Sequence, residues 1–204
     1  MPRRLSVPRP LALAVLVVAA IAGACSDDGR TLAPIGPGQT TTTETDTTEA
    51  EGAVIDEVFS LTSDAFADGG DLPPRFTCTG DGLSPSLRWS GTPSSVELAL
   101  VVRDREVPEM VHWIVTGIDP VIEGFGEAGV PEAAVEQVNS TGAVGWLAPC
   151  PEPGTGTHTY DFVLHVLTAP VDIDPALPAV EAAALIEEAS GPEAPLAAKV
   201  ATEE

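Results

Sequence analysis

Basic residues are scarce: nine lysines and arginines stand against 31 aspartates and glutamates in 204 residues, a formal charge of −22. That balance excludes a nucleic-acid surface, which needs clustered cations to release counterions from phosphates. It equally excludes docking on anionic lipid through a basic patch. No apolar run is long enough for a comfortable membrane span. No G-x-S-x-G elbow, phosphate-binding P-loop or dinucleotide fingerprint occurs, so no cofactor is expected and no catalytic residue is assigned. Internal repeats and coiled-coil heptads are missing as well. Cysteine is limited to three residues, Cys25, Cys78 and Cys150, and histidine to three, His112, His158 and His165.

What the chain does have begins at its N-terminus. Arg3, Arg4 and Arg9 precede an apolar run from Leu11 to Ala20, and small residues Ala22-Gly23-Ala24 lead into Cys25. Charged, apolar and small segments in that order read as an export signal over residues 1–24. The cysteine directly after the small residues resembles a bacterial lipobox, with Ala22 where leucine is usual. Cys25 is then the lipidation site and first mature residue, and the protein is exported and anchored in the cell membrane, facing away from the cytoplasm. Removing the signal leaves six basic against 31 acidic residues, a formal charge of −25.

Residues 25–53 hold Pro34, Pro37 and the tract Thr40-Thr41-Thr42-Thr43-Glu44-Thr45-Asp46-Thr47-Thr48-Glu49, with few large apolar side chains. Such a composition cannot offset the entropy of ordering and reads as a disordered tether. Residues 54–204 are of single-domain size, enough for a real core.

Within that domain the pattern is mostly strand. Val96 to Val102 and Val111 to Val115 are short and β-branched, and Tyr160 to Leu167 is almost continuously apolar. Alternation sends His112, Ile114 and Thr116 to one face of a strand and Val111, Trp113 and Val115 to the other. Ala179 to Ala189 reads as a helix stopped by Gly191-Pro192, and Pro195 to Ala201 as a second. The fold class is mainly β: an antiparallel Greek-key sandwich with peripheral C-terminal helices.

Two segments carry the chemistry. Asp104-Arg105-Glu106-Val107-Pro108 is followed by His112-Trp113, and Ala148-Pro149-Cys150-Pro151-Glu152-Pro153-Gly154 leads to His158-Thr159-Tyr160. Each sets a histidine beside a strand and an irregular Pro/Gly loop. The first resembles the D-P-D-x-P…H-W block, and the second the G-P-C-P-P-x-G…H-R-Y block, of the phosphatidylethanolamine-binding protein family in its bacterial, Raf-kinase-inhibitor-like branch. Ser84-Pro85-Ser86-Leu87-Arg88-Trp89 followed by Gly91-Thr92-Pro93 is similar to a third block.

The resemblance implies the same sandwich and a small pocket formed by Asp104, His112, His158 and Tyr160, with Glu106 and Pro108 at its rim. A carboxylate beside an imidazole fixes its tautomer, and Gly/Pro loops leave backbone N–H groups free to face an anion. The expected partner is a small anionic or phosphorylated ligand. Arg88, Arg103 and Arg105 are candidates for local charge compensation. The resemblance also implies a Cys78–Cys150 disulfide, with two buried free thiols as the alternative. His165, within Leu164-His165-Val166, and Trp113 read as core. Several positions depart from the family pattern: Arg105 for proline, Glu106 for aspartate, Ala148 for glycine, Glu152 for proline and Thr159 for arginine.

Two other function classes compete. An interaction protein, inhibiting an extracytoplasmic protease or a kinase, would use a protein partner at the cell surface. A hydrolase or metal site would use Asp104, His112 and His158, but close ligand spacing such as H-x-x-x-H is absent, so no metal is expected.

Overall fold

The structure is a computed structural model and describes residues 57–202. The export signal, Cys25 and the whole of the tether lie outside the described residues.

Short strands β1 (Ser60–Thr62), β3 (Leu87–Ser90) and β6 (Gly124–Phe125) form one sheet in the order β1-β3-β6. The second sheet holds β2 (Gly70–Asp71), β4 (Glu97–Asp104), β5 (Val111–Ile118), β7 (Val135–Glu136), β8 (Thr157–Leu167) and β9 (Ser190–Ala201), in the order β2-β9-β8-β4-β5-β7. Strands β4, β5 and β7 pair antiparallel in turn, and β8 returns after a long connection to the free side of β4. The spatial order β8-β4-β5-β7 is a Greek key. Among the described strands only β2 departs from antiparallel pairing, running parallel to β9.

Alternation along the strands sorts their side chains into two cores. Leu98, Leu100 and Val102 of β4, Trp113 and Val115 of β5, and Tyr160, Phe162 and Leu164 of β8 face the small sheet, where Leu61, Leu87, Trp89 and Phe125 meet them. On the other face, Ala99, Val101, Val111 and Ile114 pack under α1 (Ala179–Ala189) through Ala182, Ala183 and Ile186. Burying both faces explains why β4 and β8 read as almost unbroken apolar runs.

The second expected helix is absent. Residues Pro195–Ala201 belong to β9, paired with β8 from Thr157↔Ala201 to Leu167↔Ser190. Alternate residues Ala194, Leu196 and Ala198 are buried, a period of two that the alanine-rich composition obscured. A free edge of β8 outweighed weak helix propensity. Among the described residues the sandwich therefore carries one peripheral α-helix, and it precedes the last strand.

Cys78 and Cys150 form a disulfide that closes a sequence separation of 72 residues. Both cysteines are exposed, so the alternative of two buried thiols is excluded. The bridge ties the loop before β8 to the segment after the single-turn helix Pro74–Phe76, and the Cys78 N–H adds a hydrogen bond to the Pro149 carbonyl at 3.0 Å.

Candidate functional site

The register of β4 against β8 sets Asp104 opposite Tyr160. Two residues earlier on β8, His158 shares the face of Tyr160. Its Nδ1 lies 2.7 Å from Asp104 Oδ2. Both residues are buried, Asp104 at 4% and His158 at 7% exposure, so the contact is little screened by water. Asp104 Oδ1 accepts the N–H groups of Glu106 at 2.9 Å and Val107 at 3.3 Å, which turns the chain at the end of β4. One carboxylate thus fixes the turn and the imidazole together.

His112 reaches the same place through a β-bulge. Val102 pairs with Trp113 and Arg103 with Val111, leaving His112 as the extra residue. Strict alternation would group His112 with Ile114; instead Val111 joins Ile114 beneath α1. The His112 ring meets Tyr160 edge to face, with centroids 5.0 Å apart and an interplanar angle of 88°. A bulge re-aims a side chain in this way, and apolar patterning does not reveal it.

His112 Nδ1 donates to the Leu147 carbonyl at 2.8 Å, and the Leu147 N–H donates back to the His112 carbonyl at 2.8 Å. A carbonyl can only accept, so the proton sits on Nδ1 and the lone pair on Nε2. Nε2 is buried and has no partner among the described residues. Burial is the main cause that lowers the His112 pKa from its ordinary value; the Leu147 carbonyl and Asp104 oppose it, and His158 adds to the lowering. The ring is therefore neutral near pH 7. Burial, with the carboxylates of Asp104 and Glu106, also pushes the Tyr160 hydroxyl upward, keeping it protonated.

These residues line a cavity of about 340 Å³, completed by Val107, Met110, Thr141 and the loop from Leu147 to Thr155. That volume suits a small ligand. In the loop, prolines 149, 151 and 153 alternate with Ala148, Cys150 and Glu152, whose N–H groups find no hydrogen-bond partner among the described residues. Gly154 and Gly156, at φ of 83° and 92°, then turn the chain back into β8, a backbone region that side chains disfavour. Uncommitted N–H groups around a concave loop are suited to an oxyanion.

Thr155, unassigned from sequence, completes the polar set. Its Oγ1 lies 3.0 Å from His158 Nε2 and donates to the Glu152 carbonyl at 2.7 Å. The hydroxyl proton thus points away from the imidazole, the reverse of what an activated threonine nucleophile requires. Thr155 falls between Gly154 and His158, where the sequence carries no residue-specific signal; the Leu147 carbonyl, a backbone group, has none either.

Other expected residues stand outside the lining. Glu106 is exposed, and its Oε2 accepts the Thr159 N–H, closing the β4 turn onto β8. Pro108 is also exposed and offers its carbonyl to Arg103 Nη1 at 3.2 Å on the far side of the sheet. The arginines are committed elsewhere: Arg88 to Asp64, Arg103 to Glu187 and Arg105 to Asp161. None of them lines the cavity, whose described lining includes the acidic residues Asp104 and the exposed Glu152 and no lysine or arginine. Asp104, Glu106 and His158 bring three possible metal-ligand atoms within 4.8 Å of one another, and His112 is not among them. All three side chains already make hydrogen bonds that a cation would have to displace.

The sequence profile of the phosphatidylethanolamine-binding protein family matches residues 62–201. The chain belongs to this family. Within the phosphatidylethanolamine-binding proteins and their relatives, it is 38% identical over 192 residues to LppC of Mycobacterium tuberculosis, described as a candidate lipoprotein; the match covers 92% of this chain and 93% of LppC. A UPF0098 protein of Mycobacterium bovis is 36% identical over 156 residues, covering 76% of this chain and 74% of the relative. A solved phosphatidylethanolamine-binding protein homologue from Chlamydia trachomatis superposes with a TM-score of 0.63 at 27% identity, over 71% of this chain and 98% of that one. Escherichia coli YbcL gives a TM-score of 0.66 at 23% identity over 71% and 99% of the two chains, a shared fold.

Proposed function

We propose that this protein is an exported, lipid-anchored binding module whose cavity takes a small anionic group, with phosphate-bearing ligands as the leading class. The observation behind this reading is that His112, the Asp104–His158 pair and Thr155 line one small cavity together with Ala148, Cys150 and Glu152, whose N–H groups are uncommitted among the described residues. Uncommitted N–H groups on a loop tied by a disulfide recognise an oxyanion with little ordering cost. Binding rather than catalysis is proposed because Thr155, the hydroxyl beside His158 among the described residues, directs its proton to the Glu152 carbonyl rather than to the imidazole. Calorimetric titration with inorganic phosphate and phosphoethanolamine tests it. Saturable binding by the protein, weakened at least about tenfold in His158→Ala, is expected; heats indistinguishable from dilution at millimolar ligand would sink it.

Anchoring rests on the Ala22-Gly23-Ala24-Cys25 sequence and on the likeness to LppC. Mass spectrometry of the membrane-associated protein should find a diacylglyceryl group on Cys25, and Cys25→Ala should release the chain. Recovery of an unacylated N-terminus at another residue would contradict the anchor.

A second reading, an extracytoplasmic interaction or inhibitor protein, draws on an apolar groove of about 580 Å³ that shares Val107 and Met110 with the cavity and runs beside Leu177 and Val180. Crosslinking from Val180 to a specific protein, with no response to phosphate, would select it.

A further inference from the structure

The unpartnered Nε2 of His112 restricts which form of an anion can enter the cavity. Its partner at the other end of the ring is a carbonyl, so Nε2 presents a lone pair. Among the described residues no group donates a hydrogen bond to it. From β4 comes the Asp104 carboxylate, and from β8 come His158, which is paired with that carboxylate, and the Tyr160 ring. The Leu147–Thr155 loop contributes the Glu152 carboxylate, and no lysine or arginine lines the cavity. A fully ionised phosphomonoester would set oxygen lone pairs against a nitrogen lone pair and two further negative charges near two carboxylates.

We propose that ligand binding here is proton-coupled: a phosphomonoester enters with one proton shared between a phosphate oxygen and His112 Nε2, so the bound species is the singly charged acid form or its equivalent with the proton on the ring. This deepens the anion-binding reading above and rests on it. The chemical class is a tetrahedral oxyacid able to keep or gain one proton near neutral pH. A phosphomonoester qualifies because its second ionisation lies near pH ~6. Neutral His112 in the free protein has the same consequence, since the ring brings no proton of its own to Nε2. Linkage then requires affinity to fall about tenfold per pH unit once both free partners are deprotonated.

Calorimetry of the purified protein with methyl phosphate, from pH 5.5 to 8 in buffers of differing ionisation enthalpy, tests this directly. The expected result is uptake of about one proton per ligand at pH 8, falling towards none below pH ~6, where the ligand brings the proton itself. Binding with no net uptake and constant affinity across that range would overturn the inference while leaving anion binding intact. No binding at any pH would remove both. In His112→Gln, whose amide can donate at the same place, binding without the proton linkage is expected. Undiminished uptake in a folded variant would assign the proton to another group and overturn the role of His112.

Discussion

Asp104 is the residue on which the site's geometry depends. Its two oxygens serve different elements, Oδ1 the turn after β4 and Oδ2 the imidazole on β8. Asp104→Asn preserves shape but replaces a charged acceptor with an amide that opposes His158 Nδ1. A hydrogen bond to a charged group contributes about 1.5–3 kcal/mol, so a loss of that size is expected in urea unfolding with the strand content unchanged. A loss under about 0.5 kcal/mol would mean the pair contributes nothing to stability. At the far side of β8, His165 is buried with Nδ1 3.0 Å from Ser190 Oγ and 3.1 Å from Glu193. Burial lowers its pKa, with Glu193 and Glu187 opposing. The unfolded chain then binds the proton first as pH falls, so stability drops below about pH 6.5 and levels off below the folded pKa. The slope of unfolding free energy between pH 7.5 and 5.5 should be steeper in the wild type than in His165→Gln; equal slopes would contradict a depressed pKa.

Among the elements, β8 matters most, because it pairs with β4 on one side and β9 on the other and supplies residues to both the core and the cavity. Phe162 at its centre is fully buried and packs against Phe66 and Trp146. Phe162→Ala should cost about 3–5 kcal/mol, read as a lowered urea midpoint, and a cost under about 1 kcal/mol would show that the two sheets do not share a tight core. The strands that were legible in the sequence are those buried on both faces, because short apolar runs ending in β-branched residues, such as Leu98 to Val102, admit few other readings. Strand β9 was not legible: Pro192, Pro195 and four alanines give it a weak signature, and its state is decided by the free edge of β8. The meeting of His112 with His158 followed from the motifs, but the route did not. A one-residue bulge leaves no mark on hydrophobic alternation, and the Leu147 carbonyl that sets the tautomer belongs to the backbone. The exclusion of the arginines was equally unreadable, since their acidic partners lie far away in the chain.

At the scale of the whole molecule, a strongly acidic domain encloses its candidate ligand site behind a loop held by one disulfide. Closing a loop of this length constrains the unfolded chain by about 4 kcal/mol in the chain-entropy account. The Cys78→Ser/Cys150→Ser variant should therefore unfold at clearly lower urea, with its weakest region at the loop from Ala148 to Gly156. Unchanged stability would place the bridge outside the folding balance. Net charge acts at longer range. With salt screening repulsion beyond about 8 Å at physiological ionic strength, the acidic surface should slow an anion's approach more than it weakens its final contacts.

The central claim is that the two histidines and the Pro/Gly loop act as one anion site. An imidazole-detected NMR titration of the purified protein with phosphoethanolamine, inorganic phosphate and neutral ethylene glycol tests it most directly. The account predicts that His112 and His158 shift together and saturably with the two phosphates, while His165 and the neutral titration stay flat. Silence of both His112 and His158 at millimolar phosphate, or shifts equal to those of His165, would contradict it.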